Sequence, residues 1–266
     1  MYAFDYQRPA ALADAAALLK ADPEAKILAG GQTLLPTLKQ RLAQPTALVD
    51  LARLPGLSAI EKTAEGVAIG ALVKHAAVAT SDVVRAAIPA LADLAGLIGD
   101  PAVRNRGTLG GSLANDDPTA DYPAAVLALN ATVVTDRRSI GAGDYFQGLF
   151  TTALEEGEII TRVDFPQVER AGYAKFRNPA SRYAMAGVFV AKTADAVRVA
   201  VTGAGQSGVF LWEEAGDILA SDFSPAALAR LELDPADLMS DLHGSAEYRA
   251  QLVKAMAKRA VAKALA

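Results

Sequence analysis

Apolar and polar positions change period several times along the chain, and each change predicts an element. Tyr2 to Tyr6 alternates aromatic with small or polar residues and predicts a short strand. From Pro9 an Ala/Leu-rich stripe at helical spacing runs to Lys20 and stops at Asp22-Pro23. Lys26 to Ala29 is a short apolar run, read as a strand, that leads directly into Gly30-Gly31-Gln32-Thr33. Leu34 to Leu42 then reads as a helix with Pro36 tolerated in its first turn, and Thr46 to Leu51 as another strand. Strand, glycine loop, helix, strand is a βαβ unit. Its parallel strands put the loop at a helix N-terminus, where unpaired N–H groups favour an anion.

Leu54-Pro55-Gly56 closes this unit. Beyond it, Ser58 to Glu61 and Val67 to Ala71 predict a hairpin across a polar turn, and Lys74 to Thr80 and Pro89 to Ile98 predict helices. Gly99-Asp100-Pro101 breaks the second of them. Tyr122 to Leu129 reads as an apolar helix, Ala131 to Thr135 and Ile159 to Phe165 as strands, with a short helical turn at Gly143 to Phe146. Tyr173 to Arg177, Met185 to Lys192 and Val197 to Gly203 then form three successive strands of an antiparallel sheet. Pro225 to Leu231 and Ala246 to Ala266 follow as helices, the last with basic residues toward its C-terminus.

The stretch with the most chemistry is Thr108 to Asp121, TLGGSLANDDPTAD, read as a binding loop. Gly110 and Gly111 allow positive φ and close approach of a ligand to backbone N–H groups. Thr108 and Ser112 add hydroxyl donors. Asp117 and Asp121, ionised, only accept, so they suit sugar hydroxyls or amides and repel a phosphate. A tight turn with aspartates capping the next helix accounts for the same residues equally well. Alone, Ala29 to Thr33 reads as an ordinary strand-to-helix turn, lacking the three-glycine spacing of a dinucleotide fingerprint. With a second glycine loop further on, the two can grip a pyrophosphate from opposite sides. Arg104 and Arg106, just before that loop, are candidates for steering an anion.

Composition narrows the chemistry. The 266 residues are 52% hydrophobic and 21% charged with net charge −4, a globular balance with no basic surface for nucleic acid. There is no cysteine, which excludes disulfides, thiolate nucleophiles and cysteine-held iron–sulfur clusters in this chain. His75 and His243 are far apart in sequence, and neither lies near the glycine loops, so no histidine metal site is expected. The opening residues lack a signal-peptide pattern and no apolar run reaches about 18 residues, so a cytoplasmic protein is expected. Mean hydropathy of +0.21 agrees with a chain that docks other subunits, although alanine enrichment produces the same figure.

Ala29 to Thr33, Thr108 to Asp121, Gly157-Glu158-Ile159-Ile160 before a strand, and Ser181 to Ala186 stand in the order and spacing of one family. Over nearly its whole length the chain resembles the FAD-binding medium subunits of the molybdenum hydroxylases, the xanthine dehydrogenase and aerobic carbon monoxide dehydrogenase type. The resemblance implies an α+β fold: a PCMH-type, vanillyl-alcohol-oxidase-like FAD-binding domain over residues 1–170, with subdomains 1–56 and 57–170, and a C-terminal domain over 171–266. It also implies an oxidoreductase subunit that takes electrons from iron–sulfur clusters to an external acceptor such as NAD⁺ or a quinone. An iron–sulfur small subunit and a molybdopterin-binding large subunit would be its partners, in a dimer of heterotrimers.

Carried over residue by residue, the resemblance puts the FAD pyrophosphate on the backbone amides of Ala29, Gly30, Gly31, Gln32 and Thr33, flanked by Ile27, Leu28 and Leu34. Thr108, Leu109, Gly110, Gly111 and Ser112 would hold it from the other side. Asp121, with Asp117 beside it, would bind a cofactor hydroxyl, Ile98 would line the adenosine side, and the Ile160 backbone would face the isoalloxazine edge. Arg177 stands where relatives carry a lysine near the ring, and Tyr183 matches an aromatic over the flavin. Ser112 departs from a frequent Asn, and the lack of cysteine excludes the branch with an iron–sulfur insertion in this subunit. A stand-alone flavin oxidoreductase of this fold would need a substrate lid and a His or Tyr facing the flavin. A non-catalytic assembly paralogue would not need intact glycine loops.

Overall fold

The computed structural model describes residues 1–266. The N-terminal unit comprises β1 (Asp5–Gln7), α1 (Leu12–Ala21), β2 (Lys26–Leu28), α2 (Leu34–Lys39) and β3 (Ala47–Asp50). Its sheet runs β1-β3-β2 with both pairings parallel, so the expected βαβ unit is present and its glycine loop lies between β2 and α2. Leu19, Ala25, Val49 and Leu51 form a small core that also takes in Ile159 from much later in the chain.

The middle of the chain begins with the hairpin β4 (Ile60–Lys62) and β5 (Gly66–Gly70), where expected. Helices α3 (His75–Thr80), α4 (Asp82–Ala87), α5 (Pro89–Gly96), α6 (Pro101–Arg104), α7 (Leu109–Asn115) and α8 (Tyr122–Ala128) follow. Next come β6 (Thr132–Thr135), β7 (Ser139–Gly141), α9 (Ala142–Tyr145), β8 (Phe146–Gly148), β9 (Thr151–Thr152) and β10 (Ile160–Pro166). The five-stranded sheet β4-β5-β10-β6-β7 is antiparallel throughout. Its apolar face meets the helices over a core that includes Ile69, Leu91, Leu94, Val133 and Phe165.

The C-terminal part contains β11 (Arg170–Arg177), β12 (Ala184–Lys192), β13 (Val197–Thr202), β14 (Phe210–Leu211), α10 (Glu213–Ser221) and α11 (Ala246–Leu265). The three expected strands form an antiparallel meander, extended by the short β14. α11 packs on the sheet so closely that a Cβ at Gly172 would fall 2.0 Å from the Ala260 carbonyl oxygen. Arg249, a buried residue near the start of α11, donates to the carbonyls of Met185 and Gly203 at 2.7 and 2.8 Å and pairs with Asp241. The helix expected over Pro225 to Leu231 is a single 3₁₀ turn, Ala227–Ala229.

The stretch from Thr108 to Asp121, expected as a loop, is half helix. Thr108 caps α7 by accepting the Gly111 N–H at 3.2 Å, and the helix ends at Asp116 in the left-handed region. Gly110 and Gly111 therefore have helical φ rather than the positive φ expected of them; of the two glycine pairs only Gly31 has positive φ, at +70°. Glycine is required at 110 for space, because a Cβ there would stand 2.6 Å from the Ala71 Cβ. The remainder, Asp117 to Asp121, is held by the C-terminal sheet. Gly203 N–H donates to the Pro118 carbonyl, and the Thr202 hydroxyl donates to the carbonyls of Pro118 and Ala120.

Candidate functional site

A cleft of about 810 Å³ runs between the N-terminal unit, the middle sheet and the β11–β12 connection. That is within the usual range for a cofactor pocket. Both glycine segments line it, and they touch each other: a Cβ on Gly30 would lie 2.4 Å from the Arg106 carbonyl oxygen and 2.8 Å from the Gly107 Cα.

The two segments differ in what they offer. None of the amides from Ala29 to Thr33 donates to any acceptor in the protein. They are concave-site donors with no internal use, which suits an anion. In the second segment the amides of Leu109, Gly110 and Ser112 are already bonded to the carbonyls of Val73, Ala71 and Thr108, and that of Gly111 to the Thr108 hydroxyl. Only the Thr108 amide is free. The expectation of two equivalent amide cradles is therefore corrected, because α7 is stitched to the residues after β5 through its first turn.

Of the expected residues, Ile27, Ala29 to Leu34, Ile98, Thr108, Gly110 to Ser112, Asp117, Asp121, Ile160 and Tyr183 line the cleft. Leu28, Leu109 and Arg177 do not. Leu28 lies on strand β2 beside the cleft, Leu109 turns into the middle core, and Arg177 ends β11 with an exposed side chain. Two residues earlier on the same strand, the Lys175 side chain is 2% exposed, with its ammonium 2.9 Å from the Asp121 carboxylate, whose side chain is 3% exposed. Asp121 also accepts from the Tyr173 hydroxyl. Both carboxylate oxygens thus have protein partners, and burial pushes the carboxyl up against the pull of Lys175 and Tyr173.

His75 corrects another expectation. Distant from the glycine loops in sequence, it lines the cleft, and a Cβ at Gly107 would fall 2.5 Å from its Nε2. Burial, with the Arg104 guanidinium nearby, pushes its pKa down to about 4, so the imidazole is neutral at pH 7. Its Nδ1 and the neighbouring Tyr122 hydroxyl are buried without protein partners, two orphaned polar atoms on rings 5.4 Å apart. Asp116, at the end of α7, has its pKa raised to about 7 by burial and by the adjacent Asp117.

The cleft has two unlike ends. At one, Leu19, Ala25, Leu51 and Ile159 form apolar walls, closed by a turn from Glu155 to Ile160. At the other, Ile98 and Gly99 face the Ser181–Tyr183 connection. The Val103 amide, followed by the Ala102 amide and the Arg182 and Arg104 guanidiniums, holds Asp100 below the usual carboxylate range despite an opposing effect of burial. Arg182, which lines the cleft, is thus near enough for its charge to act on Asp100. Tyr183 is 45% exposed there, with its hydroxyl raised by burial and then by Asp117 and Asp121. Lys175, His75 and Glu158 escaped sequence reading as site residues; Glu158 alone lay within a motif already noted.

Residues 2–168 match the family described as the FAD binding domain in molybdopterin dehydrogenase. The nicotine 6-hydroxylase medium subunit of Paenarthrobacter nicotinovorans is 41% identical, the match covering 98% of this chain and 97% of that one. The carbon monoxide dehydrogenase medium chain of Afipia carboxidovorans is 39% identical over 99% of this chain and 97% of its own. Among solved structures, quinoline 2-oxidoreductase from Pseudomonas putida 86 superposes with TM-score 0.89 at 33% identity, covering 99% and 97% of the two chains. Reconstituted CO dehydrogenase from Oligotropha carboxidovorans gives 0.90 at 34% identity, covering 99% and 98%.

Proposed function

The chain belongs to the FAD-binding family of the molybdopterin dehydrogenases, and from that premise we propose that its cleft seats FAD with the diphosphate on the free amides of Ala29 to Thr33. It is the FAD-binding electron-transfer subunit of a molybdenum-containing hydroxylase complex, and so an oxidoreductase subunit that works with partner subunits. FAD, when bound, supplies a carrier that takes up electrons singly and releases them in pairs. The chain's own residues bind, orient and enclose it.

The observation that carries the site is the set of unpaired amides at the Gly30–Gly107 contact, inside a cleft of the right size. Lys26 is the only basic residue lining that part of the cleft, so backbone dipoles supply the anion site. Thr108 adds one further free amide. The orphaned His75 Nδ1 and Tyr122 hydroxyl are additional polar groups beside the cleft.

Electron exchange needs the reactive ring where partners reach it. The open end at Ile98 and Tyr183 suits the isoalloxazine, and the apolar slot at Leu19 and Ile159 suits the adenosine. This reverses the sides expected for Ile98, which shares an end with Tyr183, and for Ile160, which follows Ile159 at the apolar slot. Asp121 and Asp117 remain acceptors for hydroxyls, with Lys175 rather than Arg177 as the cation beside Asp121. The domain limits 1–170 and 171–266, with a division near residue 56, are part of the same proposal. The small cluster centred on the N-terminal unit and the cluster between the C-terminal sheet and α11 support them, while the middle core also takes in Tyr173, Phe189 and Ala200 from the C-terminal sheet.

The electron donor is an iron–sulfur small subunit fed by a molybdopterin-binding large subunit, in a dimer of heterotrimers. A chain with no cysteine has to receive electrons from clusters held elsewhere. The acceptor is external, and the cytoplasm is the expected compartment. Purification of the complex from its host, with identification of the bound flavin and the co-purifying chains, tests the reading. FAD with two such subunits is the expected result. A colourless chain that takes up no FAD, or one purified alone with its own substrate activity, would overturn it.

A further inference from the structure

Glu158 has a fully buried side chain, and a buried carboxylate is tolerated only where partners replace water. Each of its oxygens takes two donors. Oε1 accepts from Arg138 Nε at 3.0 Å and the Thr135 hydroxyl at 2.7 Å; Oε2 accepts from Arg138 Nη2 at 3.0 Å and the Glu155 N–H at 2.7 Å. Burial pushes this carboxyl up, but Arg138 and the other donors overcome it and hold its pKa at about 2. With its lone pairs taken, the carboxylate has little left to offer a ligand directly.

Its effect passes through the turn it closes. Gly157 takes φ +68°, and a Cβ there would meet the Leu19 Cβ at 3.3 Å. Ile159 bonds Asp136 in both directions: its N–H donates to Oδ1 at 2.8 Å, and its carbonyl accepts the Asp136 N–H at 2.9 Å. Arg138 also donates to the Ala153 carbonyl at 2.7 Å, and Arg137 to that of Glu156 at 3.1 Å. The tip of the β6–β7 hairpin, Asp136-Arg137-Arg138, thus grips the segment that closes the apolar end of the cleft. In that segment the amides of Glu156 and Gly157 donate to nothing in the protein. Apolar walls beside free backbone donors match a purine ring, whose faces are apolar and whose ring nitrogens accept.

From this geometry we infer that Arg138 and Glu158 are positioning residues for the adenine-nucleotide half of the cofactor, acting through the Glu155–Ile160 turn. The inference rests on the FAD reading above and adds the residues that set its selectivity for an adenine-bearing flavin. ADP is the probe, because it carries the adenine and diphosphate without the redox ring.

The flavin-free full-length chain is titrated with FAD, ADP and FMN. In E158Q and R138Q, affinity for FAD and for ADP should fall by the same factor, about tenfold for a lost charge-assisted bond, while FMN binding is unchanged. Arg138→Lys, which keeps the charge and loses the fork, should fall between wild type and R138Q. An equal fall for FMN would mean general damage to the fold and would overturn the inference. So would a fall for FAD with ADP unchanged, or no change in either. Should E158Q not fold, R138Q decides, since the Arg138 side chain is 42% exposed. Wild type that binds no FAD removes the cofactor reading itself, whereas FAD binding that ADP never competes with removes only the role of the clamp.

Discussion

Gly30 and Gly107 meet backbone to backbone: a Cβ on Gly30 would stand 2.8 Å from the Gly107 Cα, with the Arg106 carbonyl oxygen nearer still at 2.4 Å. This contact joins the βαβ unit to the segment that leads into α7. It also sets the floor of the cleft, since His75 occupies the far side of Gly107. The free amides of Ala29 to Thr33 keep their concave arrangement because nothing larger than hydrogen separates the two backbones.

Gly30→Ala is therefore expected to push the segments apart, at an overpacking cost of about 1–3 kcal/mol. FAD content after reconstitution should fall more than thermal stability does, because the distortion centres on the amides. Gly110→Ala, which would set its methyl against Ala71, should act in the same direction. Full flavin content in both variants would remove the contact from the binding site.

Much of the fold was legible because local patterns and tertiary packing agree. The βαβ unit, the β4–β5 hairpin and the C-terminal meander follow from period and punctuation alone. α7 was not legible, since a Gly-Gly pair lowers helix propensity and only the carbonyls of Val73 and Ala71 show why the helix forms there. The site was legible where it is made of contiguous backbone, as in Ala29 to Thr33. It was hidden where single side chains arrive from afar: His75 reaches Gly107 across the cleft wall, and Lys175 reaches Asp121 from a strand more than fifty residues later. The resemblance put Arg177 near the ring, but β11 ends there and leaves it exposed.

His75 should make stability pH-dependent in a defined window. Its folded pKa of about 4 lies below the unfolded value of 6.5, so between them the unfolded chain binds more protons and stability falls as pH falls. The full effect is about 3 kcal/mol. Urea unfolding of wild type and His75→Gln, compared from pH 7 to pH 4, isolates it from the carboxylates. The difference between the two proteins should shrink or reverse toward pH 4; a constant difference would show that His75 does not titrate as its surroundings require.

The Asp121–Lys175 pair should behave as a unit. Lys175→Met leaves a buried carboxylate with only the Tyr173 hydroxyl, and breaking such a pair costs about 3–5 kcal/mol. Adding Asp121→Asn to Lys175→Met should recover much of that loss, since the orphaned charge is gone. A double-mutant cycle by chemical denaturation gives the coupling directly. Additive effects would mean that the two groups do not share a charge in solution.

Tyr183 offers the opposite case, a residue whose loss should spare the fold. It stands 45% exposed at the open end of the cleft, its backbone fixed by the Asn178 N–H on its own carbonyl at 2.8 Å. The Asn178 side chain in turn accepts the amides of Ala180 and Ser181, so the connection from β11 to β12 holds its shape without the phenol ring. The amides of Ala29 to Thr33, proposed above for the diphosphate, belong to another element and are untouched by a change here. Tyr183→Ala should accordingly retain nearly all of its FAD and change chiefly the rate at which the reduced protein is reoxidised. Stopped-flow reoxidation with several acceptors, run beside a flavin content assay, separates the two effects. If the ring controls access, small and bulky acceptors respond unequally; reoxidation rates equal to wild type for all of them would place Tyr183 outside the electron-exchange site.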